Sequence, residues 1–179
     1  MSENDSEEAT HAPSFDRPPL TFTDHDDREI AIRAGFDRDA LAEMYADFSP
    51  ESRAQGLPPV GERRIDEWLD ILKEGVNVIA FHEDRDEGGR IAVGHACLLD
   101  CGDGTSELTI FVHQDYQLAG IGSRLIRGLL GEGQSQGVER VWLSVERSNH
   151  VAMNLYRSVG FETSSAAGIE HEMDLELAG

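Results

Sequence analysis

One run limits the folds open to this chain: Val112-His113-Gln114-Asp115-Tyr116-Gln117-Leu118-Ala119-Gly120-Ile121-Gly122-Ser123. An apolar stretch with strand character, Glu107 to Val112, enters a polar turn. Two glycines follow one residue apart, and a helical pattern then runs from Gly120 to about Glu132. Glycines let backbone come close to a ligand. The free N–H groups at a helix start, aided by the helix dipole, bind an anion such as pyrophosphate. Several nucleotide ligands fit that description. A Walker loop requires Gly-Lys-Ser/Thr, yet the only lysine is Lys73, followed by Glu74. A dinucleotide fingerprint requires a third glycine where Leu125 stands, and an early βαβ unit. Both fail.

The remaining chain supplies a domain around this run. Residues 1 to about 28 are acidic and lack apolar periodicity, and read as a disordered tail that can be ordered near its end. Residues 29–179 read as a single domain. Ile30 to Arg33 predicts a strand. Asp37 caps a helix that places Leu41, Met44, Tyr45 and Phe48 on one face. After a Gly/Pro-containing loop over Ser49 to Gly61, a second helix carries Ile65, Trp68, Leu69 and Leu72. Strands are predicted at Val76–His82, Arg90–Leu99, Glu107–Val112, Val138–Val145 and Glu170–Leu177, with a further helix over Asn149–Val159. The order β-α-α-β-β-β-α-β-α-β is an α+β layout: a mixed sheet with helices on its faces.

Charge excludes some partners. Asp and Glu total 35 against 15 Lys and Arg, a net charge of -20. Such a surface repels nucleic acid and anionic membranes. Acid excess with almost no lysine looks like proteins of cells that keep molar salt in the cytoplasm, where the Debye length shrinks to about 3 Å. No apolar run is long enough to span a bilayer, and no signal-peptide pattern opens the sequence, so a cytoplasmic location is expected. Cys97 and Cys101 fit neither a redox nor a zinc spacing; no metal is expected.

Two motifs then point one way. Gln117-x-x-Gly120-x-Gly122 resembles the Q/R-x-x-G-x-G/A pyrophosphate loop of the GNAT N-acetyltransferases. Asn149 to Phe161 resembles that family's second signature, N-x-x-A-x-x-L-Y-x-x-x-G-F, here with Ala152, Leu155, Tyr156 and Gly160-Phe161. The joint match covers residues 107 to 161.

The resemblance implies the GNAT acyl-CoA N-acyltransferase fold: a mixed, mostly antiparallel sheet with a central splay and helices on both faces. It implies acetyl-CoA as co-substrate, without a metal. The strand ending at Val112 would part from the strand ending at Val145. Coenzyme A would fill the V, its pantetheine arm pairing with backbone at Ile110, Phe111 and Val112. The Val112 N–H would polarise the thioester carbonyl. Gln117, Leu118, Ala119, Gly120, Ile121, Gly122 and Ser123 would hold the pyrophosphate, and Asn149 would contact the cofactor. Tyr156 would be the general acid for the departing thiolate. Glu107 is the first candidate for the base, ahead of Glu146. Members acting on ribosomal-protein N-termini carry Glu at the position of Ser144, so that base is missing. Gln117 and Leu118-Ala119 replace the commoner Arg and Gly-Lys, which leaves backbone N–H groups as the main anion ligands. His95 and His113 can line the acceptor side, but lone histidines are more often structural.

The acceptor would be a primary amine attacking directly in a ternary complex. Phe36 to Gly75 would select it, and Phe48-Ser49-Pro50-Glu51-Ser52-Arg53 resembles a segment of protein-lysine acetyltransferases. Protein lysine and small-molecule amines are both open. So is an acyl-CoA sensor without turnover, and so is the oligomeric state, a homodimer included.

Overall fold

The computed structural model describes residues 12–53, 56–84, 86 and 88–178. Strands β1 (Leu20–Thr23), β2 (Glu29–Ala34), β3 (Val76–Asp84), β4 (Gly89–Gly102), β5 (Thr105–Val112), β6 (Arg140–Glu146), β7 (Glu162–Ser165) and β8 (Glu170–Glu176) form one sheet. Its order is β1-β2-β3-β4-β5-β6-β8-β7. Among the described residues only the β5–β6 pairing is parallel, so the sheet is mixed and mostly antiparallel, as the α+β reading requires.

Among the described residues four α-helices cover the two faces: α1 (Arg38–Ala46), α2 (Glu62–Leu72), α3 (Ile121–Ser135) and α4 (His150–Val159). Strand alternation divides the apolar side chains between them. Val78, Ala80, Leu108, Val141, Leu143 and Met173 pack with Leu125, Ile126 and Leu129 of α3 and with Met153 and Tyr156 of α4. Ile79, Phe81 and Ala92 face Leu41, Met44 and Tyr45 of α1 and Ile65 and Leu69 of α2. Asp37 does cap α1, its carboxylate accepting from the Ala40 N–H at 3.1 Å.

Two strands were not expected. β7 is exposed at all four positions and carries no apolar alternation. β1 lies inside the stretch read as a tail, and pairs with β2 from Leu20↔Ile32 to Thr23↔Glu29. That stretch is built into the domain over its described half; residues 1–11 lie outside the described residues. The cause is in α3. Glycine inside a helix costs about 1 kcal/mol relative to alanine, yet α3 holds Gly128 and Gly131. A Cβ on Gly131 would lie 2.4 Å from the Asp16 carbonyl oxygen. The bare helix face is therefore the seat of the N-terminal segment. Gln134 fixes it further, accepting from the Phe15 N–H at 3.2 Å and donating to the Pro13 carbonyl at 2.6 Å.

Candidate active site: the splay between the central strands

β5 and β6 pair only at Thr105↔Arg140, Ser106↔Val141 and Glu107↔Trp142. Beyond that point β5 stays on β4 as far as Val112↔Gly94, while β6 stays on β8 as far as Glu146↔Glu170. The two strands part, and a V opens above Glu107 and Trp142.

Register says which backbone groups face it. The His113 N–H donates to the Val93 carbonyl at 2.9 Å, so odd-numbered residues of this strand bond to β4. Leu108, Ile110 and Val112 therefore turn their N–H and C=O groups into the gap. Phe111, expected among the cofactor ligands, spends its backbone on His95. Its ring lies on the α1–α2 side, 5.8 Å from Tyr45 and 5.3 Å from Trp68. The Val112 carbonyl is taken: Gln117 Nε2 donates to it at 3.0 Å. The Val112 N–H and both groups of Ile110 are what β5 offers a ligand near its end.

The phosphate loop follows at once. Leu118 (φ 58°) and Gly120 (φ 87°) both adopt left-handed backbone, and Gly120 is the N-cap of α3 without a side-chain cap. The first N–H groups of α3 are left to an outside acceptor. His25, from the β1–β2 turn, lies against this loop: its N–H donates to the Ala119 carbonyl at 3.0 Å, and a Cβ on Gly120 would sit 2.8 Å from its Nε2. The nearby cations come from outside the loop. Arg124 and Arg127 are exposed on α3, and Arg28 donates to the Asp115 carbonyl at 2.9 Å while its guanidinium lies over the Tyr116 ring.

On α4, Asn149 is the N-cap, its Oδ1 accepting from the Ala152 N–H at 3.1 Å. Any cofactor contact would fall to its Nδ2. Tyr156 is buried, with its ring 6.0 Å from that of Phe161. Burial pushes its phenol up to about 12, so at neutral pH it is held as a proton donor. Glu107 is half-buried at the foot of the V, on the α1–α2 side with Phe111. That side of β6 and β8 also carries Ser144, Glu146, Glu170 and Glu172, and Ser144 Oγ donates to Glu170 Oε2 at 2.9 Å.

Comparison with known proteins agrees with this geometry. The family model for the acetyltransferase (GNAT) family matches residues 38–161. The chain belongs to the GNAT family. Its similarity to the alanine N-acetyltransferase of ribosomal protein bS18 from Escherichia coli K12 is 40% identity over 62 residues, 33% of this chain. The matched part spans 42% of that relative. The GNAT domain of S. lividans PAT superposes with a TM-score of 0.72 at 15% identity, covering 88% of this chain and 96% of that one. The acetyltransferase yncA from Salmonella typhimurium, solved with its cofactor acetyl-CoA, gives 0.64 at 21% identity, over 83% and 94%. These two likenesses show the fold.

Under α1, on the β3 and β4 strands of this GNAT sheet, lies a buried polar network. His95 is fully enclosed under α1: its Nε2 lies 2.7 Å from Asn77 Oδ1 and its Nδ1 2.6 Å from the Tyr45 hydroxyl. Asn77 Oδ1 only accepts, so the ring proton is on Nε2 and Tyr45 donates to Nδ1. Burial brings the His95 pKa down to about 3. In the unfolded chain a histidine titrates near 6.5. Below that pH the unfolded state takes up a proton that the folded state refuses, so this contribution is complete above about pH 6.5 and is lost as pH falls towards 3. Stability should decline by up to about 1.4 kcal/mol per pH unit in that window from this residue alone. In His95→Leu that increment should be missing; denaturant midpoints of both proteins at pH 7, 6 and 5 measure it, and parallel declines would refute it. The same burial pushes the Cys97 thiol up to about 12, which fits an inert structural thiol. Among the described residues no group of histidine, cysteine and carboxylate side chains is arranged to hold a metal. No helix among them is long and apolar enough to cross a membrane.

Proposed function

We propose that this GNAT protein transfers an acetyl group from acetyl-CoA to a primary amine by direct attack in a ternary complex. The observation that carries the reading is the parting of β5 from β6 above Glu107, which leaves the Ile110 and Val112 backbone groups facing an open cleft that leads to the Gly120–Ser123 helix start. A pantetheine arm needs such unpaired strand groups, and a pyrophosphate needs such a helix start. Acetyl-CoA in the solved yncA acetyltransferase supports the choice of ligand. Ile110 and Val112 hold the pantetheine, and the Val112 N–H stabilises negative charge on the thioester oxygen as the amine attacks. Gln117 to Ser123 hold the pyrophosphate. The tetrahedral adduct collapses with cleavage of the C–S bond, and Tyr156 protonates the thiolate.

An amine is mostly protonated at neutral pH and must lose a proton before attack. Glu107, on the acceptor side at the foot of the V, is the proposed base. Glu107→Gln should lower kcat/KM by about 100-fold and leave acetyl-CoA affinity unchanged; an unaltered kcat/KM would reject the assignment. Carboxylates Glu107, Glu146, Glu170 and Glu172 on one face favour a cationic acceptor, either a protein lysine or a small amine. Ser144 in place of the N-terminal-alanine base argues against the acceptor of the ribosomal relative. The cytoplasm of a salt-adapted cell is the proposed setting.

Calorimetry with acetyl-CoA and a thiol-release assay over a panel of amines test this reading together. Binding with release of CoA on at least one amine is expected. Binding without release on any of them would make the protein an acyl-CoA sensor.

A further inference from the structure

The turn after β5 is tied to the C-terminal end of α1 and the segment that follows it. His113 Nδ1 accepts from the Asp115 N–H at 3.2 Å, which puts the ring proton on Nε2. Nε2 then donates to Asp47 Oδ2 at 2.7 Å, at the C-terminal end of α1. Gln114 repeats the link with both ends of its amide, donating to the Asp47 carbonyl at 2.7 Å and accepting from the Ser49 N–H at 3.1 Å. Phe48 packs edge-on against the His113 ring at 5.7 Å. Arg53 closes the segment on itself by donating to the Phe48 carbonyl at 2.6 Å and to the Pro58 carbonyl at 3.0 Å. The Phe48–Arg53 segment is thus tied to the residue directly after Val112. Asp47 is exposed and His113 is buried, so the contact is a hook from a surface carboxylate onto a fixed ring.

We infer that the Asp47–His113–Gln114 contact fixes the Phe48–Arg53 segment over the acceptor side of the splay, which makes His113 a positioning residue for the amine acceptor. This rests on the transferase reading above. His113 has no role in the chemistry: Asp47 and Asp115 engage both of its ring nitrogens. What it supplies is register between the acceptor-side loop and the strand whose N–H groups face the thioester. A hydrogen bond to a charged group is strong enough for its loss to move acceptor affinity about tenfold.

The test compares wild type, Asp47→Ala and Asp47→Asn. Asparagine keeps an oxygen that accepts from Nε2–H, whereas alanine does not. Amide hydrogen exchange of residues 48–53, calorimetry with acetyl-CoA, and steady-state kinetics with a lysine-containing peptide and with spermidine are measured on each. In Asp47→Ala, exchange over 48–53 should speed up and the acceptor KM should rise about tenfold, with acetyl-CoA affinity unchanged. Asp47→Asn should restore both. Unchanged exchange or an unchanged KM in Asp47→Ala overturns the inference, as does an equal loss of acetyl-CoA affinity, which marks a general structural role. Wild-type protein that binds acetyl-CoA but releases CoA on no amine of the panel overturns it by removing the transferase reading itself. That outcome is distinct from a working enzyme indifferent to Asp47.

Discussion

Tyr156→Phe should lower kcat by about 100-fold or more and leave acetyl-CoA affinity and folding stability unchanged. The ring fills its place beside Phe161 in the α3–α4 core, and phenylalanine fills it equally well. The hydroxyl makes no hydrogen bond to a described residue, so its removal strands no buried partner. Only the proton donor is lost. Its pKa near 12 keeps it protonated through the working range, so the wild-type rate should show no alkaline limb from Tyr156 below about pH 10. Stopped-flow detection of CoA release against calorimetric affinity separates the two effects. A variant with unchanged turnover would remove Tyr156 as the acid, and one that lost affinity in parallel would reassign it to cofactor packing.

Gly120→Val should abolish useful acetyl-CoA binding, by about tenfold at the least, and destabilise the fold by about 1–3 kcal/mol. Two causes act together. At φ 87° a β-branched residue is strained, and the new Cβ would sit 2.8 Å from His25 Nε2. Rotation of the exposed His25 side chain relieves the contact, so the backbone strain is the cause that moves the loop, and that motion disperses the N–H groups that start α3. Gly137→Val isolates the first cause. Gly137 has φ 85° but nothing within 4 Å of its Cβ position, and it lies in the turn that follows α3. That variant should lose stability while binding acetyl-CoA as wild type does. Equal loss of affinity in the two proteins would show that the effect is general and that Gly120 has no special place in the site.

The sequence made the local features of the site legible where chemistry forces a residue type. Gly120 at φ 87°, Asn149 as a helix start, and Gly160 at φ 119° as its stop are choices that backbone geometry favours. The elements followed from periodicity, because α1, α2 and α4 each bury one stripe and the inner strands alternate between two cores. The features that local sequence does not show depend on contacts distant along the chain. β1 has a weak pattern of its own and is held by the glycine face of α3, more than 100 residues away. His95 and His113 are each defined by partners on α1, and no spacing announces a partner 50 or 66 residues earlier. The family resemblance groups Phe111 with Ile110 and Val112 as a backbone ligand, yet β-pairing parity turns its N–H and C=O towards β4, a point that depends on the β4–β5 register.

Residue-resolved amide exchange, with and without saturating acetyl-CoA, tests the cleft most directly. The N–H groups of Ile110, Val112 and residues 120–123 have no strand or helix acceptor of their own and should become protected, whereas Thr109 and Phe111, already bonded to β4, should not change. Protection confined to other surfaces, such as the hollow of about 410 Å³ lined by Arg33, Arg38 and Arg90, would contradict the splay as the cofactor site.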